Sequence, residues 1–170
     1  MQNVAAHSRR VAYQSVLSAI AVLLCCVGLA CRETALNPGT EKKTGMQKPV
    51  TSFRQILISS TTNLQLHPGE DSKIPVQIQN PGAETWTSTG QYPVTVSYKW
   101  YKGGQMMSIE GERTILPTTV GPHDAINADV RVVAPPEPGK YTLRLSLVQE
   151  GVAWFMLKSN TFLEIPVTVQ

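Results

Sequence analysis

Past residue 51, apolar and polar residues alternate in short runs, each closed by glycine, proline or asparagine. In residues 140–149, Tyr141, Leu143, Leu145 and Leu147 fall on one face and Lys140, Thr142, Arg144 and Ser146 on the other, the period of a half-buried strand. Residues 93–101 repeat the pattern with Val94, Val96, Tyr98 and Trp100. Residues 53–58, 73–79, 113–116, 125–133 and 162–169 complete a set of seven predicted strands, and no stretch after residue 51 keeps a helical period. Turns are predicted at residues 67–70, 102–105 and 150–151, where glycine supplies left-handed backbone. Pro166 has no N–H for a ladder, so it places the last strand at a sheet edge or a bulge.

Pro135, Pro136 and Pro138 have fixed φ and no donor, so no regular ladder crosses them, and Gly139 supplies the positive φ that the corner needs. In immunoglobulin-like sandwiches a tyrosine follows such a corner, its hydroxyl bonding back to the backbone, two residues before the second cysteine of the inter-sheet pair. Tyr141 and Leu143 take those places, and Trp100 takes that of the tryptophan on the third strand. The expected fold is therefore an all-β, immunoglobulin-like antiparallel sandwich of about seven strands. It is disulfide-free and held by packing, with Trp86, Trp100 and Tyr141 in its core. The competing reading is another β fold in which these are ordinary core aromatics.

The motifs Asn80-Pro81-Gly82 followed by Trp86, Leu116-Pro117, Ala134 through Tyr141, and Leu147 through Phe155 recur in that order. From about Leu64 to Val169 the chain resembles a bacterial Ig-like module joined to glycosyltransferases and other surface-polysaccharide proteins. It is more distantly similar to the four-tryptophan Ig-like domains of autophagy receptors. The resemblance implies a fold and an accessory role, with no one ligand attached to it. Where such modules read Pro-Gly, this chain has Gly121-Pro122, which leaves the turn before residue 125 open.

A chain of 170 residues with 42% hydrophobic content allows one packed domain and an appendage. The net charge is +3, but six of the 15 basic and two of the 12 acidic residues precede Ser52, leaving nine against ten in the domain. No clustered basic face remains for a phosphate backbone, so nucleic acid is not an expected partner. Cys25, Cys26 and Cys31 all lie in the N-terminal segment, so the domain carries neither a disulfide framework nor a cysteine metal site.

That segment has the layout of an export signal: a basic stretch to Arg10, then apolar residues 16–30 ending in Gly28-Leu29-Ala30 before Cys31. Leu29-Ala30-Cys31 resembles the bacterial lipobox, which implies a signal peptide over 1–30, lipidation of Cys31, and a membrane anchor in the cell envelope. Gly28 stands where leucine is usual, and cleavage by an ordinary signal peptidase or retention as an uncleaved anchor stay as alternatives. Residues 31–51 are poor in apolar side chains and read as a flexible tether, about 25 Å in reach at ~5–6 Å × √n. The folded domain is expected over 52–170.

The domain's inventory for catalysis is thin. His67 and His123 fall in predicted turns outside any zincin, nucleophile-elbow or P-loop pattern, and Glu110 and Glu112 read as a solvated edge. No enzyme activity, cofactor or metal is expected. Binding is better supported, because neighbours on a strand point to opposite faces. With Trp100 inside, Tyr101 faces out, and one of Trp154 and Phe155 does the same. Outward rings suit stacking on sugars or gripping a peptide, unless the 105–111 segment or the chain end covers them. Tyr101, Trp154 and Phe155 are thus the candidate binding residues, for a glycan or an envelope protein. The alternative is a structural accessory that packs on a separate enzyme or transport complex through a sheet edge.

Overall fold

The computed structural model describes residues 47–170; the expected signal peptide, Cys31 and the expected tether up to residue 46 lie outside the described residues. The described chain is an all-β sandwich of two sheets, with no cysteine in it. The smaller sheet has the order β1 (Ile56–Ile58), β3 (Asp71–Gln79), β7 (Ala125–Val133). The larger runs β2 (Leu64–Leu66), β10 (Leu163–Val169), β8 (Gly139–Gln149), β4 (Val94–Lys102), β5 (Gln105–Glu110). Onto it β6 (Thr114–Ile115) adds at β4 and β9 (Ala153–Trp154) at β8. Pairing is antiparallel except where β2 lies parallel to β10. The first part of the chain therefore changes sheets, β1 joining β3 and β2 joining β10.

The proline corner has the expected geometry. The Tyr141 hydroxyl donates to the Glu137 carbonyl at 2.9 Å, and Gly139 takes a φ of 153° that a side chain would strain. Trp100 is fully buried opposite Leu143, edge-on to both Tyr98 and Tyr141 at 6.0 Å. Its indole N–H donates to the Val133 carbonyl at 3.1 Å, while the Val133 N–H donates to the Tyr98 hydroxyl at 2.9 Å. Two side chains of one sheet thus cap the edge strand of the other. Thr114 caps it again by accepting the Arg131 N–H at 3.1 Å.

At the other end of the sandwich, Asn80 is buried with its amide nitrogen within hydrogen-bonding reach of the Glu84, Val120 and Gly121 carbonyls. Its side-chain oxygen accepts the Gly82 N–H at 3.0 Å, an Asx turn, so the Asn-Pro-Gly motif is a structural clasp. Trp86 forms an isolated bridge to Val120 and packs edge-on against Phe155 at 5.6 Å. The Gly121-Pro122 turn closes with Asp124 N–H donating to the Gly121 carbonyl at 3.2 Å, and His123 takes the left-handed conformation with φ 63°.

Several features depart from the sequence expectations. β2, β5 and β9 are additional strands, too short or too evenly exposed to show a period. A five-residue helix, α1 (Phe155–Ser159), follows β9, its first turn held by the Met156 N–H donating to the buried Ser146 hydroxyl at 3.0 Å. Pro166 lies within β10 beside β8, and β2 takes up the other side only from Val167 onward, so the proline is locally at an edge.

The packed unit also begins before Ser52. Val50 is 7% exposed and its N–H donates to the Gln149 side chain at 3.1 Å. The Glu84 carboxylate accepts the Thr51 and Ser52 N–H groups at 2.9 and 2.8 Å, and Gln47 accepts from Gln91 N–H at 2.8 Å. Gln55, also buried, accepts the Leu147 N–H at 2.7 Å and donates to Ser146 at 3.0 Å, a side-chain amide standing on the side of β8 away from β4, in the gap between β10 and β9. Among the described residues, every buried side-chain nitrogen and oxygen has a partner.

Candidate functional site

Residues directly paired in an antiparallel ladder share a face. The outer face of the larger sheet therefore carries the row Glu110, Lys99, Arg144, Glu164, with Tyr101 and Trp154 beside it. The row neutralises itself, Lys99 meeting Glu110 at 3.1 Å and Arg144 meeting Glu164 at 2.7 Å. Arg113 reaches across to Glu150 at 2.7 Å and Glu110 at 3.1 Å. The hydrogen bond from Lys99, helped by Arg113, holds the Glu110 carboxyl below its ordinary value. The segment that brings Arg113 there runs alongside β4 at Gly111, where a Cβ would stand 2.2 Å from the Tyr98 carbonyl oxygen, so only glycine fits.

The candidate aromatics enter the same lattice. Trp154 is half-buried, with the Lys99 ammonium 4.7 Å and the Arg113 guanidinium 5.2 Å from its ring centre. Arg144 lies 4.2 Å from the Tyr101 ring and 4.5 Å from that of Phe162. Phe155 is fully buried between Phe53 and Trp86, which corrects its place among the candidates for ligand contact. The strand ends at Trp154, and Phe155, the first residue of α1, takes the inward side.

The outer face of the smaller sheet is different. β1 stops at Ile58, opposite Gln77, and beyond it the Ser59 hydroxyl donates to the Pro75 carbonyl at 2.7 Å. Pro75 has no N–H to continue the pairing, so an open groove of about 440 Å³ begins there. Register brings Ile58, Gln77 and Asn127 into one cross-strand row and Pro75 and Asp129 into the next, with Ser60 on the rim. Ile58 is 48% exposed and Ile56, one row away, 41%. Among the described residues, the side chains of Asn127, Asp129 and Ser60 have no hydrogen-bond or ion-pair partner, and Gln77 uses only its oxygen, accepting from Gln79 at 2.8 Å. Nothing in the periodicity marked these residues, which are polar, scattered over seventy positions and joined only by register.

His67 and His123 lie elsewhere. His67 Nδ1 is 2.9 Å from the Gln170 carbonyl oxygen, and His123 is exposed in its turn. Glu110 and Glu112 do not act as a pair, since Glu112 faces Arg131 at 3.6 Å. No group of three or more His, Cys, Asp or Glu side chains is placed to hold a metal among the described residues. No helix among them is long and apolar enough to cross a membrane.

No family model matches this chain, and no curated protein does either. Among solved structures it is similar to a family 123 glycoside hydrolase from Clostridium perfringens, at 9% identity and TM-score 0.41, over 69% of this chain and 27% of that one. The CARDB domain of the PF1109 protein from Pyrococcus furiosus, solved with di-metal ions, is similar at 12% identity and TM-score 0.37, over 68% and 89%. The sporulation control protein Spo0M from Bacillus subtilis is similar at 12% and 0.41, over 69% and 49%. The chain thus spans about a quarter of the hydrolase's length. With these three TM-scores below 0.5, the sandwich assignment rests on the chain's own topology.

Proposed function

We propose that this protein is a non-catalytic binding module held at the bacterial cell envelope by lipidated Cys31, recognising a glycan or an envelope protein as an accessory to surface-polysaccharide assembly. The observation that carries the binding reading is the groove on the smaller sheet, where side-chain donors and acceptors converge unpartnered beside exposed isoleucines. The lipobox-like Leu29-Ala30-Cys31 supports the anchor, and the self-neutralised face of the larger sheet argues against ligand contact at Trp154 and Tyr101. Catalysis is disfavoured because the domain's carboxylates at Glu110 and Glu112 are engaged by different arginines and His67 by a carbonyl.

A photo-crosslinking residue at Ser60 of the full chain, activated in the producing cells, tests the binding reading. A discrete adduct, either proteinaceous or polysaccharide, is the expected result, and the absence of any adduct overturns it. Cys31→Ser is expected to move the protein from the membrane fraction to the soluble one, and continued membrane attachment overturns the lipid anchor.

A further inference from the structure

We infer that the groove's ligand is an uncharged oligosaccharide, an assignment that rests on the binding reading above and narrows it. The alternative of an added peptide strand fails on backbone chemistry. Such a strand needs alternating N–H and C=O groups along an open edge, and at the groove Pro75 has no N–H and its carbonyl is already taken by Ser59. Recognition there falls to side chains.

Those side chains form a set suited to a sugar. The Asp129 carboxylate accepts only, the Asn127 amide both donates and accepts, the Gln77 nitrogen donates, and Ser60 does either. A diol needs this mixture, since each hydroxyl gives one hydrogen and receives others. The Pro75 ring and the Ile58 side chain supply the apolar floor that a pyranose C–H face covers.

Charge decides the subclass. Asp129 is the acidic side chain in the groove, and the nearest guanidinium along its strand, Arg131, is engaged by Asp71 at 2.7 Å and Glu112 at 3.6 Å. A uronic acid, sulfate or phosphate would meet the Asp129 carboxylate with no cation lining the groove to offset it, since Lys73 stands one row beyond Pro75. Neutral hexoses and N-acetylated hexosamines meet no such barrier.

The test uses the full chain in detergent micelles, titrated calorimetrically with cellotriose, chitotriose, maltotriose and mannotriose, and with trigalacturonate as the charged probe. Saturable binding of at least one neutral trisaccharide, unchanged between low and high salt, is expected, with none for trigalacturonate. Asp129→Ala should weaken it about 10- to 100-fold, as losing a hydrogen bond to a charged group does, and Gln77→Ala several-fold, with unchanged melting temperatures. Trigalacturonate binding more tightly than every neutral sugar overturns the assignment, as does saccharide binding indifferent to both groove variants. Failure of all four neutral sugars overturns it too. In that case a protease-sensitive adduct at Ser60 leaves the binding reading standing with a protein ligand, whereas no adduct removes both.

Discussion

The two outer faces of this sandwich are built from similar cross-strand rows, yet one is closed and the other open. In the central row of the larger sheet both cations have an acid and a ring: Lys99 with Glu110 and Trp154, Arg144 with Glu164, Tyr101 and Phe162. On the smaller sheet, Asn127, Asp129 and Ser60 have no such partners among the described residues, and apolar surface stands exposed beside them. An exposed aromatic is therefore a weaker sign of a site than an unsatisfied polar group. A tryptophan under an ammonium is already occupied, while a carboxylate in an open groove presents unmet hydrogen-bonding capacity.

The contrast can be broken at several strengths. Phe155→Ala should have the largest effect, about 3–5 kcal/mol of destabilisation, because it empties the core between Phe53 and Trp86. Denaturant unfolding measures it, and a change below ~1 kcal/mol would return Phe155 to the surface. Gly111→Ala comes next, at about 1–3 kcal/mol, since its Cβ meets the Tyr98 backbone and displaces the segment carrying Arg113. Loss of the ring-current shifts of Trp154 on Lys99 would accompany it in NMR spectra.

Acid is a gentler probe of the closed face. The folded Glu110 carboxyl titrates below its ordinary value, so its pairing contributes stability that is fully present above the unfolded carboxylate pKa and lost as pH falls through the folded one. With the Glu110 side chain 63% exposed, the contribution is small and salt-screened. An NMR titration should place Glu110 below the reference of 4.5, and a midpoint at or above it would dissolve the proposed lattice. The smallest effect belongs to the open face: Asn127→Ala and Asp129→Ala should each change stability by no more than about 0.5 kcal/mol. A larger loss in equilibrium unfolding would show these groups at work in the fold instead of awaiting a ligand.

Much of the sandwich was legible from sequence because local chemistry writes it. Three prolines and a glycine ahead of Tyr141 dictate a corner, and period-two alternation puts Trp100 and Leu143 inside. What escaped depends on distant partners. The turn of α1 is set by Ser146, ten residues upstream, so Trp154 and Phe155 read as neighbours on a strand. The packing of Val50 is set by Gln149, which lies 99 residues away in sequence. The groove needed the register of β1, β3 and β7 together, and polar residues on an outer face leave no hydrophobic signature.

The clasp at the domain's entrance has a mechanical meaning if the chain is tied to a membrane through Cys31. Any drag on a bound ligand would be carried to the anchor through residues 47–52. The Glu84 carboxylate grips Thr51 and Ser52, and the Asn80 amide grips the Glu84 carbonyl one residue beyond the end of β3. Tension entering at the groove on Gln77 can leave along that path without passing through the aromatic core. Gln149 on Val50 and Gln55 on Leu147 share the load in parallel, ahead of the short β1 ladder. Resistance to pulling is then governed by the rate at which this clasp opens, not by the free energy of the whole fold.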